Sequence, residues 1–153
     1  MDKFINWCRR YSIPALRWSM GLVFLWFGLL KFFPRPGEAE DIGFRTVRWL
    51  SGGNLGERTA LLMLGGIEML IGIGLLLRKW MGLTLLLLFF QLAGTFLPLV
   101  IFRDEAWDAF LKPSLAGHYI IKNIVLIAAG IVLAATVDKS SEEKKDTHEK
   151  VVK

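Results

Sequence analysis

The chain has 153 residues, of which 54% are hydrophobic and 22% are charged, and its formal net charge is +5. This hydrophobic fraction is high for a soluble domain of average composition, and the apolar residues are collected in long blocks. The basic excess does not indicate nucleic-acid binding, because the lysines and arginines stand at the ends of these blocks, where basic residues orient membrane proteins. The composition therefore argues against an ordinary soluble domain and favours an integral membrane protein.

Four apolar segments are long enough to cross a bilayer as helices, which takes about 20 mostly apolar residues. They cover residues 13–33, 59–77, 80–102 and 117–137. None of them alternates apolar and polar residues as a half-buried strand does. The sequence therefore predicts an all-α membrane protein, an antiparallel bundle of four transmembrane helices in a single domain of residues 1–138.

Prolines, charges and composition predict the connections between these segments. Pro34 is expected to end the first helix, because proline cannot continue the backbone hydrogen-bond ladder. The stretch "IGFRTVRWL" at 42–50 then predicts a short interfacial helix in the first outer loop. Only Arg78 and Lys79 separate the second and third segments, which predicts a tight helical hairpin. The tail of residues 139–153 is rich in charges of both signs and is predicted to be disordered.

Basic residues are shared unevenly between the two ends of the four segments. About eleven lie on the side of the chain termini and the 78–79 turn, against about six on the other side. Cytoplasmic loops carry the excess of basic residues, so both termini are predicted to be cytoplasmic. The single cysteine, Cys8, excludes a dithiol relay within the chain, since such chemistry needs two thiols. The two histidines and one cysteine give no metal-ligand spacing, so no metal site is expected.

Each segment carries its small and polar residues at helical spacing, so that they share one face of the predicted helix. Small residues let membrane helices approach closely, and polar side chains form hydrogen bonds across such contacts. These faces are therefore predicted to point into the bundle. They comprise Arg17, Gly21, Phe24, Gly28 and Lys31 in the first segment, Gly65, Glu68 and Gly72 in the second, Thr84, Gln91, Gly94, Thr95 and Pro98 in the third, and His118, Lys122 and Ala129, with Tyr119, Asn123 and Gly130 on the adjoining stripe, in the fourth.

The candidate ligand-binding cluster consists of Lys31, Glu68, Gln91, Lys122 and Asn123. A lone charge at the bilayer centre costs about 2.5–3.5 kcal/mol on insertion scales, so a partner is expected, and Glu68 with Lys122 is the predicted pair. The alternative is that this pair and Gln91 only fix the register of the helices. If Lys31 also turns inward, the positive excess suits an anionic or carbonyl-bearing ligand such as a quinone headgroup. The catalytic residues remain unknown, because the sequence has neither a phosphate-binding glycine loop nor a serine with a histidine base.

Three stretches resemble the DoxX-like membrane proteins: "GLVFLWFGLLKFFP" at 21–34, "GGIEMLIGIGLLL" at 65–77 and "GHYIIKNIVLIAAG" at 117–130. The resemblance implies a small four-helix bundle in the bacterial inner membrane. The namesake of the family is similar to a subunit of a thiosulfate:quinone oxidoreductase, and relatives are linked with oxidative-stress defence. Carried over by position, the polar residues of these motifs are Lys31, Glu68, Lys122 and Asn123.

Three functions agree with these features. The first is a redox-linked membrane subunit that binds quinone near Glu68 and Lys122 and works with a separate catalytic partner, because no pattern here holds a flavin, haem or metal. The second is a small transporter or permease, which would need to form a homodimer, since four short helices are few for alternating access. The third is a non-catalytic scaffold. The expected partners are the lipid bilayer and a redox protein, with no nucleic acid.

Overall fold

The computed structural model of the chain describes residues 1–33 and 38–151, with side chains described in 1–33 and 41–137. Four helical segments in this part are long and apolar enough to cross a membrane: α1, α3, the combined α4–α5 segment Met81–Ile101, and Leu115–Val137 of α7. This confirms a mostly helical chain with four candidate spans and favours a multi-pass membrane protein. The elements are α1 Asp2–Leu30, α2 Glu38–Leu50, α3 Glu57–Leu77, α4 Met81–Phe96, α5 Pro98–Ile101, α6 Arg103–Ala106, β1 Trp107–Ala109, β2 Lys112–Pro113 and α7 Leu115–Val151.

Helices α1 and α3 share the most extensive interface, because glycines on both helices let the backbones come close. Gly28 faces Gly65, and Gly21 faces Gly72, so the contacts run in opposite order along the two helices. A Cβ atom placed on Gly28 would lie 2.8 Å from the backbone nitrogen of Met69, where no side chain fits without moving the helix. The inward faces predicted for the first two segments are confirmed by this packing.

Helix α4 packs between α3 and α7. A Cβ atom on Gly74 of α3 would collide with Thr84, and one on Gly130 of α7 would lie 2.8 Å from a methyl carbon of Leu88. The main apolar core lies between these helices, toward the end of the bundle that carries the chain termini, here named the terminal side. It consists of Met20, Phe24, Ile71, Leu75, Leu85, Leu88, Leu92 and Leu133.

The opposite end of the bundle, here named the loop side, carries the predicted short helix. It is present as α2, Glu38–Leu50, and starts earlier than predicted. Phe44 of α2 is buried in a small cluster with Ala60 and Leu61, so α2 packs against the start of α3. Its position at a membrane interface stays a prediction.

A short β-hairpin, which the sequence did not predict, connects α6 to α7. Trp107 pairs with Pro113, and the indole Nε1 of Trp107 donates a hydrogen bond to the backbone oxygen of Leu99 at 3.2 Å. Gly117 fits directly beneath the oxygen of Ala106, and a Cβ atom there would overlap it. The hairpin therefore fixes the start of α7 against the end of the α4–α5 segment.

Two predicted boundaries differ from the structure. The helix α1 already ends at Leu30, and Pro34, which was expected to end it, lies outside the described residues. The helix α7 runs to Val151 without a break at the predicted domain end, residue 138. Because the side chains beyond Val137 are outside the described part, the disorder predicted for residues 139–153 stays a prediction.

Candidate functional site

An ion pair joins the end of α1 to the middle of α3. The Nζ atom of Lys31 lies 2.6 Å from Oε2 of Glu68, and the two side chains are 11% and 14% exposed. Each follows an interface glycine by three residues, Gly28 on one helix and Gly65 on the other, so each lies on the same helical face as its glycine. The close approach of the two glycines therefore brings the lysine onto the carboxylate.

Helix α4 adds an amide to this pair. The Nε2 atom of Gln91 donates a hydrogen bond to Oε1 of Glu68 at 3.3 Å, and the Gln91 side chain is buried. Both carboxylate oxygens of Glu68 are therefore contacted by donors from two other segments of the chain. An ammonium group has three N–H donors, and the described residues give Lys31 one side-chain acceptor.

A second polar contact lies one helical turn further along α4. The Nδ2 atom of Asn123 donates to Oγ1 of Thr95 at 3.1 Å, and this hydroxyl in turn donates to the backbone oxygen of Leu92 at 2.7 Å. Asn123 thus faces the bundle, as predicted, although its contact is with Thr95 and not with the carboxylate. Four of the five predicted site residues point inward, and direct contacts join three of them.

Lys122 is the exception, and the predicted pair of Glu68 with Lys122 is corrected by the structure. Lys122 is exposed, and its Nζ atom lies over the ring of Tyr119, 5.6 Å from the ring centre. Neighbouring residues on a helix point about 100° apart, and in the structure Asn123 faces α4 while Lys122 is exposed, as are His118 and Tyr119, which were also predicted to point inward. Lys31 takes the place beside Glu68, although a lysine near a helix end is usually expected to extend toward the headgroups.

Two arginines hold α1 against α3 at its two ends. The guanidinium of Arg58, at the start of α3, donates to the backbone oxygen of Phe32 at 2.8 Å. Near the other end, Arg17 donates to the backbone oxygen of Leu76 at 3.1 Å. These carbonyls lie at or just beyond helix ends, where backbone oxygens lack helical partners. The sequence predicted the inward face of Arg17 but missed Arg58, whose only signal was its place in the first turn of a span.

The contacts of Lys31, Glu68, Gln91 and Asn123 lie in the middle and the loop-side half of the bundle. The main apolar core lies toward the terminal side, where Arg17 also binds the end of α3. Leu88 of α4 is buried about one turn from Gln91 toward the terminal side, and Leu92 is buried directly after Gln91 toward the loop side.

Among the residues that the structure describes, no group of three or more His, Cys, Asp or Glu side chains could hold a metal ion. Comparisons with family models, curated proteins and solved structures give no match to this chain. The resemblance to DoxX-like proteins therefore stays a prediction from the three sequence motifs.

Proposed function

We propose that this chain is a bacterial inner-membrane protein that binds a quinone headgroup at Lys31, Glu68 and Gln91 and serves as a redox-linked subunit of a separate oxidoreductase. In this proposal the four long helices form an antiparallel bundle of the DoxX-like kind, with α2 at the membrane interface. The observation that carries the proposal is the ion pair of Lys31 and Glu68, held inside the bundle beside a buried amide.

The chemistry of the three side chains suits a quinone oxygen. A carbonyl accepts hydrogen bonds, and the ammonium of Lys31 retains donors beyond the one directed at Glu68. Reduction of a quinone to a quinol takes two electrons and two protons. The two electrons would come from the partner oxidoreductase and the two protons from water. One quinone oxygen would take its proton from the ammonium of Lys31, which lies 2.6 Å from the carboxylate of Glu68 and is then reprotonated by water, and the other oxygen would take its proton from water directly.

The place of the site along the bundle favours ligand binding over transport. Quinones travel within the bilayer, so a quinone site needs no path through the protein from one side of the membrane to the other. A permease would also have to open the terminal-side core, which contains fully buried leucines such as Leu75, Leu88 and Leu133. A scaffold function predicts that the ion pair only fixes helix register, and the experiment below separates it from ligand binding.

The test is quinone binding to the purified full chain in lipid nanodiscs. A short-chain ubiquinone analogue is titrated while the tryptophan fluorescence is followed, and wild type is compared with Lys31→Met and Glu68→Gln. Lys122→Met serves as the matched control, since it removes a lysine that lies outside the site. We expect at least about tenfold weaker binding in the two site variants, equivalent to about 1.4 kcal/mol, and unchanged binding in the control.

Two results would refute the proposal. One is the absence of saturable binding to folded wild-type protein for both benzoquinone and naphthoquinone headgroups. The other is equal affinity in wild type and both site variants, with folding verified by circular dichroism and gel filtration. Either result would return the ion pair to a purely structural role.

A further inference from the structure

Lys122 presents a charge on the outward surface of a helix that is apolar enough to span a membrane. Its neighbours on this surface include Leu115 and Val125, which are 59% and 70% exposed. Within the described residues the contact of its ammonium is the ring of Tyr119, itself more than half exposed. The charge makes no contact with the core, so the packing of the bundle does not explain it.

The position of Lys122 along α7 and the direction of its side chain place its ammonium near the level of the lipid headgroups. Lys122 lies seven residues after Leu115, so its Cα is about 10 Å along the helix from the start of α7. Side chains on a helix lean toward its N-terminus, and Tyr119, over which the ammonium lies, is nearly one turn closer to that end. The ammonium is thereby displaced from the hydrocarbon toward the bilayer surface, as is typical of lysines near helix ends.

We propose that Lys122 and Tyr119 form a binding site for the phosphate group of an anionic phospholipid, separate from the site at Lys31. The ammonium and the phenol hydroxyl supply the two hydrogen-bond donors, the aromatic ring holds the lysine by a cation–π contact, and exposed Val125 offers apolar surface to the acyl chains. His118 is not required, because its Nδ1 is bonded to the backbone oxygen of Ser114 at 2.8 Å.

A lipid suits this surface better than a second copy of the chain. The segment Leu115–Val137 contains no aspartate or glutamate. In a two-fold symmetric contact through this surface, the same patch meets itself, so both copies would bring Lys122 into the interface and the segment would offer neither of them a carboxylate. An anionic headgroup, by contrast, supplies the missing negative charge. The proposal assumes the membrane position of α7 from the proposed function, but it does not depend on quinone binding.

The experiment is native mass spectrometry of the full chain, purified in detergent and titrated with phosphatidylglycerol or with phosphatidylcholine of the same acyl chains. The variants are Lys122→Met, which removes the charge, and Tyr119→Phe, which keeps the ring but removes the hydroxyl. Lys112→Met is the matched control, because Lys112 is an exposed lysine outside the span. We expect Lys122→Met to bind phosphatidylglycerol about fivefold more weakly, the effect of one lysine near an anionic surface, with a smaller loss in Tyr119→Phe and none in the control.

The proposal is overturned if wild type binds the two lipids equally, or if Lys122→Met retains full affinity for phosphatidylglycerol. It is also overturned if Lys122→Met changes the number of chains in the complex and leaves the bound lipid unchanged, which would assign the surface to protein contact. Quinone binding by Lys122→Met is measured on the same preparation, so failure of this site and failure of the quinone site give different results.

Discussion

The adjacent glycines of α3, Gly65 and Gly66, allow a direct test of the close helix contact beneath the ion pair. A Cβ atom on Gly65 would lie 2.8 Å from the backbone oxygen of Gly28 and 3.0 Å from Cβ of Lys31. A Cβ atom on Gly66 would meet no atom within 4 Å. We therefore expect Gly65→Ala to destabilise the protein relative to Gly66→Ala, although both changes are chemically identical and lie on the same helix.

The size of the effect follows from these distances. Ordinary contacts of a Cβ atom begin at about 3.4 Å, so α1 and α3 must separate by about 0.6 Å at Gly65. Overpacking of this kind costs about 1–3 kcal/mol. Replacing glycine by alanine within a helix gains about 1 kcal/mol, but this gain is common to both variants and cancels in the comparison. Gly65→Ala should therefore be about 1–3 kcal/mol less stable than Gly66→Ala.

The assay is reversible unfolding of the two variants in mixed micelles of dodecylmaltoside and sodium dodecyl sulfate, followed by circular dichroism. Quinone binding is measured on the same samples, because the new methyl group also presses on Lys31 and should weaken ligand binding in Gly65→Ala alone. Equal free energies of unfolding for the two variants would refute the close approach of α1 and α3 at this level, and with it the explanation given for the ion pair.

Three further predictions concern the polar contacts and the topology. Lys31→Met and Glu68→Gln should each lower the free energy of unfolding. A double-mutant cycle should give a coupling energy of about 0.5–3 kcal/mol, whereas strictly additive losses of unfolding free energy would exclude the contact. Asn123→Leu should cost about 1 kcal/mol or less by the same unfolding assay, because the hydroxyl of Thr95 keeps its bond to a backbone oxygen; a much larger loss would mean that the amide has a further structural role. An alkaline phosphatase fusion after Lys153 should be inactive, as expected for a cytoplasmic terminus, whereas activity would reverse the predicted topology.

The part of the fold that could be predicted is the part governed by periodicity. The spacing of Gly21 and Gly28 and of Gly65 and Gly72 predicted the two inward faces, because residues three or four apart on a helix must share a face. The same rule predicted that Glu68 would be inside. Four candidate spans also followed from composition alone, since their length is set by the thickness of a bilayer.

The choice between the two lysines could not be predicted, because it depends on how each helix is rotated. Lys122 and Asn123 are adjacent, and only the packing of α7 against α4 decides which of them faces inward. The spacing of Lys31 from Gly28 puts it on the inward face of α1, but a lysine at a helix end can also extend toward the headgroups, so the sequence left both directions open. The hairpin at Trp107–Pro113 was missed for a related reason, because its strands are very short and the hydrogen bond to Leu99 that fixes it is a tertiary contact.

The pairing of Lys31 with Glu68 also has a consequence for biosynthesis. The two residues are 37 positions apart, so the lysine leaves the ribosome well before its partner does. At a synthesis rate of about 5–20 residues per second, this interval is about 2–7 s. During this time the charge at the end of α1 has no carboxylate from α3 beside it, and the glycines of α1 have no surface to pack against. The first helix should therefore stay next to the insertion machinery until α3 arrives, and the two helices should enter the lipid together.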